Sequence, residues 1–452
     1  MVQQIFRFFL DTYFSIADYV ISFYAANSRL ILDAMNSFFT RGFDVLIIVT
    51  MILALSYLVM SFFGFTKPRQ RSLDLPEGDE PHVTIQIPTY NEIAAINCAQ
   101  RCLEFDYPHE KMQIIIGDDS NKPEISARID DFASKHKDVV LVTRRGSNVG
   151  YKPGNLNHML KYTTGEFIAI FDSDFLPERD FLRKMLPPFQ RDSNVSVVQS
   201  RWRIENFSQN MISMLGGSIS LLSHHIVMVF MNRLGFSSFL CGSAEVIRKK
   251  HLEEVGGWTS GSLTEDIECS LRLKQANRDL VYLEDVECSC EAPYTLVDLS
   301  KQQMRWAYGV ISSIKYHFKS VIGSRVMTIK DKFGIFIFAS GYFFSFMLLL
   351  ITLFGVLSVL TSEPAPIDLP RFMSETGMNI LLTSGLLASV LLSLALSRRM
   401  RYAHKVLLSS LTLGLVVTYY VNLGILRSLF GRKMQWFMLK KNGNNDGQVN
   451  RA

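Results

Sequence analysis

Four long stretches without a charged side chain constrain this chain more than any other feature: residues 45–65 (21 residues), 333–362 (30), 377–397 (21) and 406–426 (21). A bilayer-crossing helix needs about 20 consecutive apolar residues, so each is read as a membrane span. About 265 residues separate the first from the second, room for a complete soluble domain. Only 20% of the 452 residues are charged and 48% are hydrophobic, which excludes a disordered chain and a purely soluble enzyme. The net charge of +5 is mild. Its basic residues flank the spans instead of forming a patch for nucleic acid, so no nucleic-acid partner is expected.

The flanks give an orientation. KPRQR (67–71) follows the first span, and Arg398, Arg399, Arg401 and Lys405 follow the third; such basic flanks mark the cytoplasmic side. The loop between the second and third spans carries Glu363, Asp368 and Glu375 against one Arg371, which suits the outer face. Span parity then puts the C-terminus outside, whereas the basic tail from Arg427 to Lys441 reads as cytosolic. The six cysteines all lie in the central region without paired CxxC units, as expected of reduced thiols in a cytosolic domain. Residues 1–42 mix aromatics with Arg7, Asp11, Asp18, Arg29, Asp33 and Arg41. They are read as an amphipathic interfacial segment, with a true span as the alternative, preceding a transmembrane helix at 43–66. No cleavable leader is expected.

Between the spans, VTIQIP (83–88), QIIIGDD (113–119), VVLVTR (139–144), FIAIFDSD (167–174) and VSVVQSRW (195–202) read as buried strands, with helical stretches such as 92–105 and 124–136 between them. That alternation predicts an α/β, doubly wound, mostly parallel sheet, whose ligands bind at the carboxyl ends of the strands. Carboxylates gather there, in PTYNE (88–92), DDSN (118–121) and DSD (172–174). Acids ending apolar strands are costly unless solvated, paired or bound to a cation. A D-x-D can give Mg²⁺ or Mn²⁺ carboxylate oxygens while phosphate supplies further ligands; a loop cap is the plainer alternative for any one of them. TED (264–266) opens a predicted helix, so Thr264 as N-cap with two first-turn acids is the bland reading. QQMRW (302–306) offers an indole face to a sugar and a guanidinium to phosphate, or a helix anchored at the headgroups. The uncharged run 211–232 is long enough to span, but it holds His224, His225 and four serines. It is read as interfacial, because a crossing there would separate the DSD and TED motifs.

In this order the motifs IPTYNE, IGDDSN, GYKPGNLN (150–157), FDSDF, VVQSRW, FLCGSAEVIRK (239–249), GGW (256–258), LTED and QQMRW resemble the membrane-integrated family 2 processive glycosyltransferases, the cellulose, hyaluronan, chitin and mannan synthases. The resemblance covers roughly residues 80–310. It implies a GT-A-type cytosolic domain (67–310, with interfacial helices at 211–235 and 300–320), about three further spans (333–426) and a basic tail (427–452). It further implies an inverting, nucleotide-sugar-dependent hexosyltransferase of the plasma (inner) membrane that polymerises and extrudes a β-linked polysaccharide. The implied roles are nucleotide-sugar binding by Thr89, Tyr90, Glu92, Asp118, Asp119, Lys152, Asp172, Gln302 and Arg305, and metal binding by Asp172 and Asp174. Asp266 would be the general base. Phe239, Cys241, Gly242, Glu265, Gln303 and Trp306 would bind the acceptor. DDS in place of DDG, Gln303 in place of an arginine, and the mannan-synthase-like VVQSRW leave the sugar open. UDP-glucose is expected first, GDP-mannose next and UDP-GlcNAc after them. The partners implied are the donor, the growing polymer, the bilayer, and a homo-oligomer or accessory export proteins. The alternatives are single-sugar transfer to a lipid carrier, or an inactive channel or scaffold subunit.

Overall fold

A computed structural model of the chain describes residues 2–66, 72–363 and 368–440. The basic flank 67–71 and tail residues 441–452 lie outside the described residues. Two compact units emerge: Met1–Leu55 with Phe344–Gly385, and Ser56–Phe343 with Leu386–Ala452.

The second unit is built on an eight-stranded sheet: β1 (Val83–Thr89), β2 (Met112–Asp118), β3 (Val140–Thr143), β4 (Phe167–Ile170), β5 (Leu176–Pro177), β6 (Val195–Ile204), β7 (Glu245–Arg248) and β8 (Asp279–Cys290), in the order β3-β2-β1-β4-β7-β6-β8-β5. The half β3-β2-β1-β4 is parallel, connected by the helices Ala94–Leu103, Pro123–Ser134 and Tyr151–Leu160. That is the doubly wound pattern read from the sequence. β7 runs antiparallel to both β4 and β6, and β5 antiparallel to β8, so the whole sheet is mixed. Ile85, Ile87, Ile114 and Ile116 are fully buried, as strands covered on both faces require. Register brings the motifs to one edge: Thr89 pairs with Asp118 and Gln86 with Ile170, so the turns after β1, β2 and β4 open side by side.

The helices depart from the expected boundaries. Residues 1–42 and 43–66 do not form separate elements, because a single helix runs over Val2–Phe63. The stretch contains no proline and only one glycine, Gly42, so nothing in the backbone stops the helix where its composition changes. Asn27–Phe63 and Ile329–Thr361 are long and apolar enough to cross a membrane. Inside the first unit they are joined by polar contacts: Asn36 Nδ2 donates to the Ser358 carbonyl at 2.7 Å, and the Thr40 and Ser358 hydroxyls lie 2.6 Å apart. The last two expected spans are broken helices. Leu369–Thr383 stops before Gly385–Leu396, and Met400–Leu411 meets Leu413–Leu429 at 56°.

The run 211–232 falls in Met211–Leu222, a π-helical turn Ser223–Val227 and Met228–Arg233. Its apolar stretch is 78% buried inside the protein, against 6% for Ile329–Thr361. An Asn210–Ser213 capping box starts it, and Gly217 lies so close to Phe207 that an added Cβ would overlap the ring. The helix carrying QQMRW, Leu296–Gly323, is likewise packed within the unit. Gly424 of Leu413–Leu429 sits against the Met304 carbonyl, leaving no room for a Cβ, so the two backbones touch.

Candidate active site

The strand ends, the TED helix, the QQMRW helix and the tail line one cleft. Asp172, Asp174, Asp266 and Arg305 all line it, so the run between the DSD and TED motifs does not separate them.

One wall of the cleft grows from the turns after β1 and β2. Asn91 has φ +57°, a left-handed conformation that asparagine tolerates better than most residues. Its amide oxygen accepts from the Asn121 and Lys122 N–H groups at 3.0 and 3.2 Å, clipping the two turns together. Adjacent residues at the end of an extended strand point to opposite sides, and Asp118 and Asp119 divide accordingly. Asp119 lines the cleft, where Arg145 grips it at 2.6 and 2.9 Å. Burial pushes the Asp119 carboxyl above its ordinary range, against the pull of Arg145. Asp118 is not among the lining residues. It accepts from Ser126 (2.6 Å), Arg144 (2.8 Å) and the Ser120 N–H (3.0 Å). Burial alone would raise its carboxyl, but these hydrogen bonds hold it below the usual range. These contacts make Asp118 a brace of the turn.

Thr89, Tyr90, Glu92, Lys152, Asp172, Gln302 and Arg305 line the cleft as expected. Glu92 accepts from the Ser173 hydroxyl and thereby ties the DSD turn to the first. Lys152 Nζ stands 2.7 Å from Asp172 and 3.4 Å from Glu265, and donates to the Gly242 carbonyl. Burial by itself would lower the Lys152 ammonium, but Asp172 and Glu265 outweigh it and raise it, so the charge persists. Asp172 and Asp174 present hard oxygen donors to the cleft, and among the described residues no group of three or more His, Cys, Asp or Glu forms a metal cage. Two carboxylates beside an open cleft fit a cation that takes its remaining ligands from water and phosphate, as Mg²⁺ and Mn²⁺ do.

Next to Lys152, Asp266 lines the cleft with Cys241, Gly242, Glu265 and Trp306. Burial, and then Glu265 beside it, push the Asp266 carboxyl up to about 7, with the Ile267 N–H, Lys152 and Arg305 opposing. Gly242 has φ +88°, and a Cβ there would stand 3.3 Å from Asp266 Oδ2, so glycine both permits the turn and leaves the carboxylate uncovered. Thr264 occupies the N-cap position without a capping hydrogen bond, and its hydroxyl lies 3.3 Å from that of Ser313. The bland cap reading of TED loses its main interaction. The helix is held by Glu268, which accepts from Thr259, Arg272 and His317. Phe239 and Gln303 are not lining residues. Phe239 is buried with its ring 4.5 Å from that of Phe338, and Gln303 is buried with its amide on Gln302.

Three groups escaped the sequence reading. Arg145 is the second residue after the third strand, and its signal was the paired basic residues Arg144 and Arg145 at that strand end. Trp202 lines the cleft from β6. The tail, read only as basic, brings Trp436 and Phe437 into the cleft: Trp436 meets Tyr90 edge-on at 6.0 Å and stacks on Tyr151 at 6.3 Å. The run MQWFML (434–439), apolar but for Gln435 and set between basic residues, was the available sign.

Residues 81–309, just over half of the chain, match the family described as Glycosyltransferase like family 2. The chain belongs to this family. As a family 2 glycosyltransferase it is 30% identical over 266 residues to glucomannan 4-beta-mannosyltransferase 1 of Oryza sativa subsp. japonica. The match takes in 56% of the chain and 50% of the relative, so the chain spans about half the length of that curated relative. Among solved structures, it is similar in fold to the mannosyltransferase PcManGT from Pyrobaculum calidifontis in complex with GDP-Man and Mn²⁺. That likeness has a TM-score of 0.58 at 16% identity and covers 89% of this chain and 100% of the other.

Proposed function

We propose that this glycosyltransferase moves a hexosyl group, mannosyl in the favoured reading, from a nucleoside diphosphate sugar onto a growing β-linked polysaccharide. The transfer inverts the anomeric centre, and the product leaves through the protein's own membrane helices. The observation that carries the reading is one cleft with a charged end, where Lys152 bridges Asp172 and Glu265, and an end where Asp266, held near 7, faces Cys241, Gly242 and Trp306. The rice relative's named mannosyl transfer supports GDP-mannose ahead of UDP-glucose, the reverse of the order expected from the motifs. The fold neighbour's GDP-Man and Mn²⁺ agree with that order.

In this reading Tyr90 and Asp119, the latter oriented by Arg145, hold the nucleoside. Lys152, Gln302 and Arg305 hold the diphosphate and neutralise charge as it departs. Asp172 and Asp174 would hold Mg²⁺ or Mn²⁺, which when bound supplies further positive charge to the leaving group. Trp306 stacks under the acceptor sugar, and Gly242 and Cys241 floor it. Asp266 takes the proton from the attacking hydroxyl as that oxygen bonds to the anomeric carbon and the carbon–diphosphate bond breaks. A carboxyl near 7 is well matched to that task at neutral pH. Transport across the membrane, a plasma-membrane location and a cytosolic cleft belong to the same proposal. It is supported by several helices long and apolar enough to span.

The test is direct. Purified protein in lipid is given radiolabelled GDP-mannose or UDP-glucose with Mn²⁺ or Mg²⁺, and the product is digested with linkage-specific hydrolases. The expected result is a β-linked polymer sensitive to a mannanase and made from GDP-mannose. A glucan made only from UDP-glucose would overturn the donor, and a single sugar on a lipid would overturn the polymer.

A further inference from the structure

We infer that Trp202 forms, with Trp306, a two-indole corner that recognises the acceptor as a chain of at least two sugar units, so that Trp202 sets the preference for acceptor length. The inference rests on the polysaccharide-transfer reading of the cleft and adds to it a residue and a length requirement.

The case begins with how Trp202 is held. It lies near the end of β6 and lines the cleft while remaining half-buried. Its indole N–H donates to the Ser243 carbonyl at 3.2 Å, in the loop that also carries Cys241 and Gly242. Phe175 meets it edge-on at 5.2 Å and 74°. The His224 ring covers it at 5.1 Å and 33°. His224 belongs to the π-helical turn Ser223–Val227, a distortion that is frequent at functional sites. The one polar atom of the indole is thus satisfied behind the ring, and its orientation is fixed from three sides. An indole that served only to fill the core would be enclosed like neighbouring Phe171 and Phe175, which are 0% and 3% exposed.

The second observation is the relation to Trp306. The ring centroids are 6.4 Å apart and the planes are inclined at 55°. A single flat sugar stacks on one of these faces and cannot lie on both. Two successive pyranose rings, turned relative to each other about a glycosidic bond, can each take one. Beside the indoles, Ile204, Ser220, Ala292 and Pro293 add apolar surface and a hydroxyl to the lining, with Glu291 next to them. A hydroxyl and apolar surface suit sugar faces, and an indole supplies rigid area at little entropic cost.

The experiment uses the full-length protein in lipid, GDP-mannose as donor, and β-linked manno-oligosaccharides of increasing length from the monosaccharide as acceptors. The readout is the ratio of kcat/KM for the disaccharide to that for the monosaccharide. In the wild type this ratio is expected to be roughly tenfold, equivalent to about 1.4 kcal/mol, and Trp202→Ala should bring it close to one. Trp202→Phe, which keeps a stacking face, should retain most of the preference. Trp202→Leu, which keeps only apolar bulk, should not. An unchanged ratio in Trp202→Ala, or equal retention by Phe and Leu, overturns the inference. If the alanine variant fails to fold, the Phe and Leu comparison decides alone. Wild-type transfer without a disaccharide preference removes this inference and leaves the transferase reading standing. No transfer to any acceptor from any nucleotide sugar removes both.

Discussion

The two ends of the cleft solve opposite problems with different side chains. Toward the proposed donor site the charged groups are already paired: Arg145 on Asp119, Lys152 on Asp172 and Glu265. Around the proposed acceptor the lining is Trp202, Trp306, Gly242 and Cys241, with the Asp266 carboxyl raised by burial and by Glu265. A diphosphate brings charge that must be matched, and pre-paired ions can exchange partners when it arrives. A sugar polymer brings hydroxyls and apolar faces and must later move on, which favours broad stacking over tight ion pairing. Asp266 stands at the junction, where burial and the adjacent Glu265 raise its pKa.

This contrast can be broken from either end. The largest effect should come from chelation. EDTA is expected to reduce transfer to background and added Mn²⁺ to restore it, whereas Asp174→Asn should stay inactive at any Mn²⁺ concentration; full activity of Asp174→Asn would remove the cation from the donor end. Next, Asp266→Asn should lower transfer by about 10²-fold or more while the nucleotide still binds. The folded Asp266 carboxyl lies near 7, above its unfolded value of 3.8, so its ionised form is disfavoured by the fold and any destabilisation grows as pH rises between those values. The variant removes that penalty and should melt no lower than wild type at pH 8, as calorimetry would check. Trp306→Ala should raise acceptor KM roughly tenfold, a loss of about 1.4 kcal/mol, and shift nucleotide affinity by less than about twofold; an equal loss on both sides would show that the ends are not separate. The smallest effect is expected from Phe239→Leu. That ring packs on Phe338 away from the cleft, so the change should cost about 1.5 kcal/mol of stability or less and leave acceptor KM within about twofold of wild type.

The donor end was the more legible of the two in the sequence, for a physical reason. Short apolar strands followed by aspartates have a period and an anomaly that can both be read in one dimension, and β1, β2 and β4 fell where the pattern put them. β8 was hidden because Asp279, Glu284, Asp285 and Glu287 interrupt its apolar run. β7 has only four residues inside a motif that reads as a loop. Asp118 and Asp119 could not be told apart by composition, since only strand alternation and the reach of Arg144 and Ser126 assign one to bracing and the other to the cleft. Trp436 arrives from a tail some 280 residues beyond the Tyr151 it stacks on, and no local pattern announces such a contact. The helix Val2–Phe63 was misdivided because its charges suggested a surface segment, while helix continuity depends on the backbone.

The pH dependence of transfer by wild type and by Asp266→Asn tests the central claim most directly. With donor and acceptor saturating, the account predicts that wild-type kcat falls about tenfold per pH unit below about 7 and levels above it, as a base that must be ionised requires. Asp266→Asn should be slow throughout and lack that acid limb. A variant that keeps the wild-type rate, or that keeps the same limb at a reduced rate, would show that another group takes the proton and would contradict the assignment of Asp266 as the base.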